Sequence, residues 1–134
     1  MKPVLVFDLN GTLTDTSALD PFFHALFGSR DRCHQWYTQL IELAMTCAAT
    51  GEFIPFATLA DAALHMLAGR YHVTLTGQHA SELRDGVRNL PPFPDVAPGL
   101  EQLQAAGYRL AVMTNSAPAT AEYTLQRAAV AHRF

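Results

Sequence analysis

The sequence predicts an α/β fold in which a helical insert interrupts a parallel sheet, and three observations lead to that prediction. The segment Val4–Phe7 is a short apolar run rich in β-branched residues, which is typical of a parallel strand covered on both faces. A second apolar run lies at 108–113. Between the two runs, apolar residues recur every three or four positions, as they do on one face of a helix.

Four helices are predicted for the insert, each bounded by residues that start or stop a helix. The first begins with Ser17 or Asp20 as its N-cap, accommodates Pro21 in its first turn and ends at Gly28. The others are expected at 31–50, 55–71 and 77–90. The aromatic residues of the insert are expected mainly in its core: Phe22, Phe23, Trp36, Tyr37 and Phe53.

After the insert, strand and helix patterns return. The segment 90–99 holds four prolines in ten residues, which predicts a rigid connection. A helix at 98–106, the strand at 108–113 and a helix at 119–129 complete the predicted order.

Composition restricts the classes of function. The chain has 134 residues, 49% of them hydrophobic, and a net charge of −3, as expected for one soluble globular domain. Lys2 is the only lysine and the arginines are dispersed, so a nucleic-acid partner is not expected. Without an apolar run of membrane-spanning length or a secretory signal, no membrane partner and a cytoplasmic location are predicted. Cys33 and Cys47 are therefore expected as free thiols.

Two polar residues follow the predicted strands at the edge where open parallel sheets bind ligands. Asp8 ends the first apolar run, and Thr114 follows the second. A carboxylate at this edge is a candidate nucleophile, because Gly11 lets the backbone approach closely and Thr12 can fix the carboxylate rotamer. The alternative is that Asp8 only caps a turn.

These residues carry a family resemblance. The stretch VFDLNGTLTD, at 6–15, resembles the first motif of the haloacid dehalogenase superfamily, and AVMTNSAP, at 111–118, resembles its second motif. The type II 2-haloacid dehalogenase-like branch is favoured. The resemblance implies an α/β, partial Rossmann-like core made of 1–14 and 91–134, with a four-helix cap at 15–90 inserted after the first strand.

The resemblance also implies a reaction. Asp8 would displace halide from C2 of a short 2-haloacid with inversion, and water would then hydrolyse the resulting ester without a cofactor or metal. The six histidines show no pair at metal-ligand spacing backed by a carboxylate. The implied catalytic residues are Asp8, Thr12, Thr114 and Asn115, and the implied substrate-binding residues are Leu9, Asn10, Trp36, Tyr37 and Ser116.

Asn10 separates the alternatives within the superfamily. The phosphatases of the superfamily carry an acid at this position, and that acid protonates the leaving group and activates water. An amide can do neither, whereas halide leaves as an anion without a proton, so Asn10 favours attack on carbon. A turn residue is the other interpretation of Asn10. The alternative function is a small-molecule phosphatase that uses Mg²⁺ held by Asp8 and the carbonyl of Asn10.

Two departures from the branch concern halide specificity. Tyr37 follows Trp36 where the branch places a halide-binding arginine, and Arg30 and Arg32 are the nearby arginines that could serve instead. Characterised dehalogenases commonly have a tyrosine at the position of Asn10.

The superfamily's third motif, a lysine, and its fourth, acidic in the phosphatases, are not found. Lys2 lies six residues before Asp8, and is thus expected roughly 20 Å away at the opposite end of the strand. Glu122 is the only acid after Ser116. We therefore expect part of a larger enzyme, a truncated product, or a unit completed by another chain. A homodimer is expected from the resemblance, and a non-catalytic, dimerising remnant is the third hypothesis.

Overall fold

The computed structural model describes residues 2–134 and confirms the predicted α/β fold class. The predicted order of strand, four helices, helix, strand and helix is present. The elements are β1 (Val4–Phe7), α1 (Asp20–Phe27), α2 (Asp31–Thr50), α3 (Phe56–Tyr71), α4 (Gly77–Arg88), α5 (Val96–Ala105), β2 (Arg109–Val112) and α6 (Pro118–Arg127). Two short 3₁₀ turns, Thr16–Leu19 and Ala131–Arg133, were not predicted.

The described chain divides into two compact units. One unit, which we call the sheet unit, comprises the described residues up to Thr16 together with Arg88–Phe134. The other, the helical unit, is Ser17–Val87 and contains α1 to α4. Each unit is built on its own buried residues.

The sheet unit is organised around two parallel strands. β1 pairs with β2 in a register that sets Val4 opposite Arg109 and Phe7 opposite Val112. Apolar side chains from the strands, α5, α6 and the loop after β1 form one core. Its buried members are Leu9, Leu13, Val96, Leu100, Leu110, Ala121, Leu125 and Val130.

The prediction that β1 is covered on both faces was wrong for the described residues 2–134. Leu5 and Phe7 pack against the core, but Val4 and Val6 are 42% and 57% exposed. Successive side chains of a strand point to opposite faces of the sheet, so the core covers one face of β1 only. The sequence does not distinguish the covered face of β1 from the exposed one, because both faces of the strand carry apolar side chains.

The helical unit is centred on Trp36 of α2. Trp36 is 1% exposed, and its indole N–H donates a 3.0 Å hydrogen bond to the carbonyl of Ala60 on α3. The ring of Phe23 lies 5.3 Å from that of Trp36, between centroids. Phe53 was expected with this aromatic core but is 92% exposed, because it lies in the loop between α2 and α3.

The starts of α1 and α5 differ from the sequence predictions for identifiable reasons, whereas those of α3 and α6 differ by a single residue. Neither Ser17 nor Asp20 is the N-cap of α1; Leu19 is, without a side-chain cap, because the preceding 3₁₀ turn leads directly into the helix. α5 begins at Val96 rather than at residue 98. Pro98 fits within its first turn, where a missing N–H breaks no intrahelical bond.

Between residues 2 and 134, none of the helices combines the length and apolar character needed to cross a bilayer.

Candidate active site

The two strand ends meet at one edge of the sheet. The pairing of β1 with β2 continues one step beyond β2, where the N–H of Met113 donates a 2.9 Å hydrogen bond to the carbonyl of Phe7. Asp8 follows Phe7 directly, and Thr114 follows Met113. Asp8 is exposed, and its carboxylate forms no hydrogen bond or ion pair within residues 2–134. A carboxylate in this state has both oxygens available to a ligand.

The chain after Asp8 forms a tight loop around one carbonyl. The carbonyl of Leu9 accepts hydrogen bonds from the N–H groups of Leu13, at 2.9 Å, and Thr14, at 3.0 Å. Gly11 has a φ of +82°, a conformation that residues with a Cβ rarely adopt, and its N–H bonds the carbonyl of Thr14 at 2.9 Å. This loop explains the glycine of the first motif.

The predicted residues of this loop differ in what they can present to a substrate. Leu9 is 1% exposed and belongs to the core of the sheet unit, so it presents almost no surface to a substrate. Thr12 is exposed, and within residues 2–134 its hydroxyl makes no hydrogen bond to Asp8. The roles of Leu9 and Thr12 therefore stay predictions.

The loop after β2 is a second short turn. The N–H of Ser116 donates to the hydroxyl oxygen of Thr114 over 3.2 Å. Asn115, between them, is exposed, whereas Thr114 and Ser116 are half-buried. The turn therefore presents Asn115 to solvent and holds the Thr114 hydroxyl against its own backbone.

A buried amide connects the two loops. Asn10 is 8% exposed, and its side-chain amide donates a 3.2 Å hydrogen bond to the Ser116 hydroxyl. The Thr14 hydroxyl, 1% exposed, lies 3.5 Å from the amide oxygen of Asn10 and 3.3 Å from the carbonyl of Leu9. Sequence reasoning did not single out Thr14, although a threonine so close to an apolar strand end is a candidate loop-stabilising residue.

The chain matches a family model over residues 3–134, and that model describes a haloacid dehalogenase-like hydrolase. The chain belongs to the haloacid dehalogenase-like hydrolase family. The matched range includes both strand-end loops, the loop after β1 and the loop after β2.

Individual relatives agree with the family assignment. An (S)-2-haloacid dehalogenase of Pseudomonas sp. (strain YL) is 24% identical over 132 residues, which is 97% of this chain and 57% of the relative. A phosphoglycolate phosphatase of Colwellia psychrerythraea is 34% identical over 127 residues, covering 85% of this chain and 51% of the relative. The chain thus spans about half the length of the curated relatives it matches.

A solved structure matches the fold. The L-2-haloacid dehalogenase from Xanthobacter autotrophicus superposes with a TM-score of 0.87 at 24% identity, over 100% of this chain and 54% of that one. The arrangement of strands and helices is therefore that of haloacid dehalogenase-like hydrolases.

The two substrate-binding candidates of the helical unit lie on α2. Trp36 is buried, with its only polar group bonded to Ala60, while Tyr37 is half-buried. The Arg32 guanidinium lies 4.0 Å from the ring centroid of Tyr71, a cation–π contact within the same unit. Trp36 therefore has a structural role in its unit, and substrate contact by Trp36 or Tyr37 stays a prediction.

The position of Lys2 agrees with the sequence prediction. Its ammonium group donates a hydrogen bond to the carbonyl of Ala106 and lies 4.9 Å from the ring centroid of Tyr108. Both partners come just before β2, so Lys2 is at the amino end of the strands. Asp8 follows the opposite end of β1.

The phosphatase alternative requires a site for Mg²⁺. Within residues 2–134, no group of three or more His, Cys, Asp or Glu side chains is placed to hold a metal ion. The Asn10 side-chain amide is bonded to Ser116, which leaves the main-chain carbonyl of Asn10 as the oxygen of the phosphatase alternative. Asp8 and that carbonyl would supply two of the six oxygen ligands of Mg²⁺, and substrate and water would supply the others.

Proposed function

We propose that this protein is a 2-haloacid dehalogenase-like hydrolase in which Asp8 is the nucleophile. The exposed Asp8 carboxylate, at the carboxyl end of β1, supports this proposal, as does the (S)-2-haloacid dehalogenase activity named for the Pseudomonas relative. The substrate is a short 2-haloacid. Because the chain spans 57% of that relative, the proposal concerns the chemistry that these residues contribute.

In the first step, an oxygen of the Asp8 carboxylate attacks C2 of the substrate from the side opposite the halogen. A carbon–oxygen bond forms while the carbon–halogen bond breaks, and the halide leaves with the bonding electrons. The product is an ester between Asp8 and C2, with inverted configuration at that carbon. In this proposal, Thr114 and Asn115 help to bind the substrate carboxylate and the departing halide.

In the second step, water attacks the side-chain carbonyl carbon of the ester. The bond between that carbon and the ester oxygen, which came from Asp8 and is now attached to C2, breaks and releases the 2-hydroxy acid. Asp8 returns as a carboxylate that carries one oxygen from water, and one proton passes to solvent. Overall, a 2-haloacid and water give a 2-hydroxy acid, halide and a proton.

The observation that carries this proposal is that Asn10 is a buried amide bonded to Ser116. A phosphatase needs an acid there, because an alkoxide leaving group requires a proton. Here the side chain is an amide, buried and bonded to Ser116, so it supplies no proton at the site. A halide needs none.

The test is halide release from (S)-2-chloropropionate by the purified chain, with and without a metal chelator. We expect release to survive chelation and to fall by on the order of 10⁴-fold in Asp8→Asn, because an amide is a poor nucleophile. Asp95→Asn is the matched control, since Asp95 is exposed and makes no side-chain cap bond on α5.

A single turnover in ¹⁸O-labelled water tests the ester directly. With enzyme in excess, the label should enter the Asp8-containing peptide, and the first product should carry an unlabelled oxygen from Asp8. Label found in that first product instead would show that water attacks the substrate without an ester.

Phosphatase activity is the second candidate, because the Colwellia relative at 34% identity is a phosphoglycolate phosphatase. It predicts hydrolysis of phosphoglycolate that needs Mg²⁺ and stops on chelation. A non-catalytic dimerising remnant is the third. No turnover with either substrate, or turnover indifferent to Asp8→Asn, would favour that hypothesis.

We also propose roles for the two units and for a partner. The sheet unit would be the catalytic core and the helical unit its cap. A second copy of the chain would bind the helical unit, whose exposed apolar side chains support this arrangement: Met45, Phe53, Ile54 and Met66. A cytoplasmic location stays a prediction of the sequence.

A further inference from the structure

Asn10 occupies an unusual position for a loop residue. It lies two residues after Asp8 and is 8% exposed, although loop amides are usually solvated. A buried amide that lacks partners costs free energy, so the hydrogen bonds of Asn10 stabilise the conformation of this loop. Those bonds show which parts of the site depend on it.

The bonds form a chain across the two loops. Thr14 is within reach of the Asn10 amide oxygen at 3.5 Å, and the Asn10 amide nitrogen donates to Ser116 at 3.2 Å. The Ser116 N–H in turn donates to the Thr114 hydroxyl at 3.2 Å. The Thr14 hydroxyl has one proton and two acceptors near it, the carbonyl of Leu9 at 3.3 Å and the amide oxygen of Asn10 at 3.5 Å. The Asn10–Ser116 bond therefore joins the first loop to the second through side chains.

We propose that Asn10 is a positioning residue for the reaction, holding the Thr114–Ser116 turn in register with Asp8 through Ser116. This inference rests on the proposed function. A displacement of about 1 Å between a nucleophile and the groups that bind its substrate can lower the rate by about 100-fold. The Asn10 amide thus acts on the second motif without touching the substrate.

The chemistry of the amide also explains why it stands there rather than a carboxylate. Aspartate would accept a hydrogen bond from the Ser116 hydroxyl and so preserve the connection between the loops. It would also place a second negative charge two residues from Asp8, in a mostly buried position. Like charges close together disfavour the ionised form that a nucleophile needs. Asn10 keeps the connection without adding a second carboxylate two residues after Asp8.

Hydrogen–deuterium exchange of the segment 113–117 tests the positioning without relying on activity. We expect Asn10→Ala to speed exchange there by about 3- to 10-fold, the factor that corresponds to one ordinary hydrogen bond. Asn10→Asp should retain the wild-type rate, because Ser116 can donate to the new carboxylate. Asn89→Ala is the matched control in the sheet unit and should leave 113–117 unchanged.

Kinetics separate positioning from a merely structural role. Asn10→Ala should lower kcat for halide release by about 10- to 100-fold at a temperature where the variant is fully folded. Unchanged kcat with a lower unfolding temperature would overturn the proposal. If Asn10→Ala does not fold, Ser116→Ala removes the same bond from the half-buried partner and should give the same exchange and kcat changes.

The two proposals fail separately. Exchange at 113–117 that is indifferent to Asn10→Ala and Ser116→Ala would refute the positioning role whatever the activity. Faster exchange in both variants, with no halide released by the wild-type chain, would refute the proposed function and leave the role of Asn10 in the second-motif turn intact.

Discussion

The N–H of Met113 donates a 2.9 Å hydrogen bond to the carbonyl of Phe7, and this bond makes Asp8 and Thr114 neighbours at one edge of the sheet. Parallel pairing brings strand ends of the same polarity together, so the loops that follow them share an edge. The two strand-end loops therefore meet here although more than 100 residues separate Asn10 from Ser116.

Replacing Lys2 by methionine tests whether this lysine contributes to catalysis. We expect kcat/KM for halide release to stay unchanged, because Lys2 contacts Ala106 and Tyr108 at the amino end of the strands. The free energy of unfolding in urea should fall by less than about 1 kcal/mol, since an exposed cation–π contact is weak. A tenfold loss of activity in a folded Lys2→Met variant would contradict the position of Lys2 at the amino end of the strands.

Trp36→Phe tests the polar contact in the core of the helical unit. The change removes the 3.0 Å bond to the Ala60 carbonyl and leaves that carbonyl without the indole donor. We expect a loss of about 1–3 kcal/mol in the free energy of unfolding, measured by far-UV circular dichroism in urea. Phe53→Leu is the control, because Phe53 is 92% exposed and its replacement should change stability by less than about 0.5 kcal/mol. Equal losses of stability in Trp36→Phe and Phe53→Leu would show that the Trp36–Ala60 bond does not stabilise the helical unit.

Gly51 and Gly69 give opposite predictions for the same change to alanine. Neither glycine has an atom within 4 Å of an added Cβ, so sterics do not distinguish them. Gly51 ends α2 with a φ of +74°, and alanine there should cost about 1–2 kcal/mol. Gly69 lies inside α3, where alanine should stabilise by about 0.5–1 kcal/mol. Thermal unfolding of both variants measures the difference, and shifts of the same sign would contradict the backbone argument.

Phe53→Ser tests the proposed binding of a second copy to the helical unit. Phe53 is 92% exposed and Met66 50%, an apolar surface that a partner would cover. We expect sedimentation velocity to show a concentration-dependent dimer for the wild-type chain and a weaker one for Phe53→Ser. Val6→Thr changes an exposed residue of the sheet unit, 57% exposed, and should leave the dimer unchanged. A wild-type chain that is monomeric at every concentration would refute the proposal.

Local signals explain why most of the secondary structure was predictable. α2 runs from Asp31 to Thr50 as expected, because apolar spacing marks its length and a glycine suited to positive φ marks its end. The start of α1 was not predictable in the same way. Ser17 is a good N-cap by type, but a 3₁₀ turn precedes the helix and makes a side-chain cap unnecessary.

The sequence by itself determined the fold class, the order of the elements and the placement of Asp8 and Thr114 after two parallel strands. These features depend on residues close together along the chain, through apolar periodicity and through the conformations that glycine and proline allow. Only the tertiary structure decided that Asn10 bonds Ser116, that Trp36 bonds Ala60 and that Val6 is exposed. Each of these depends on how distant segments pack, and no local pattern encodes which distant atom a buried polar group will meet.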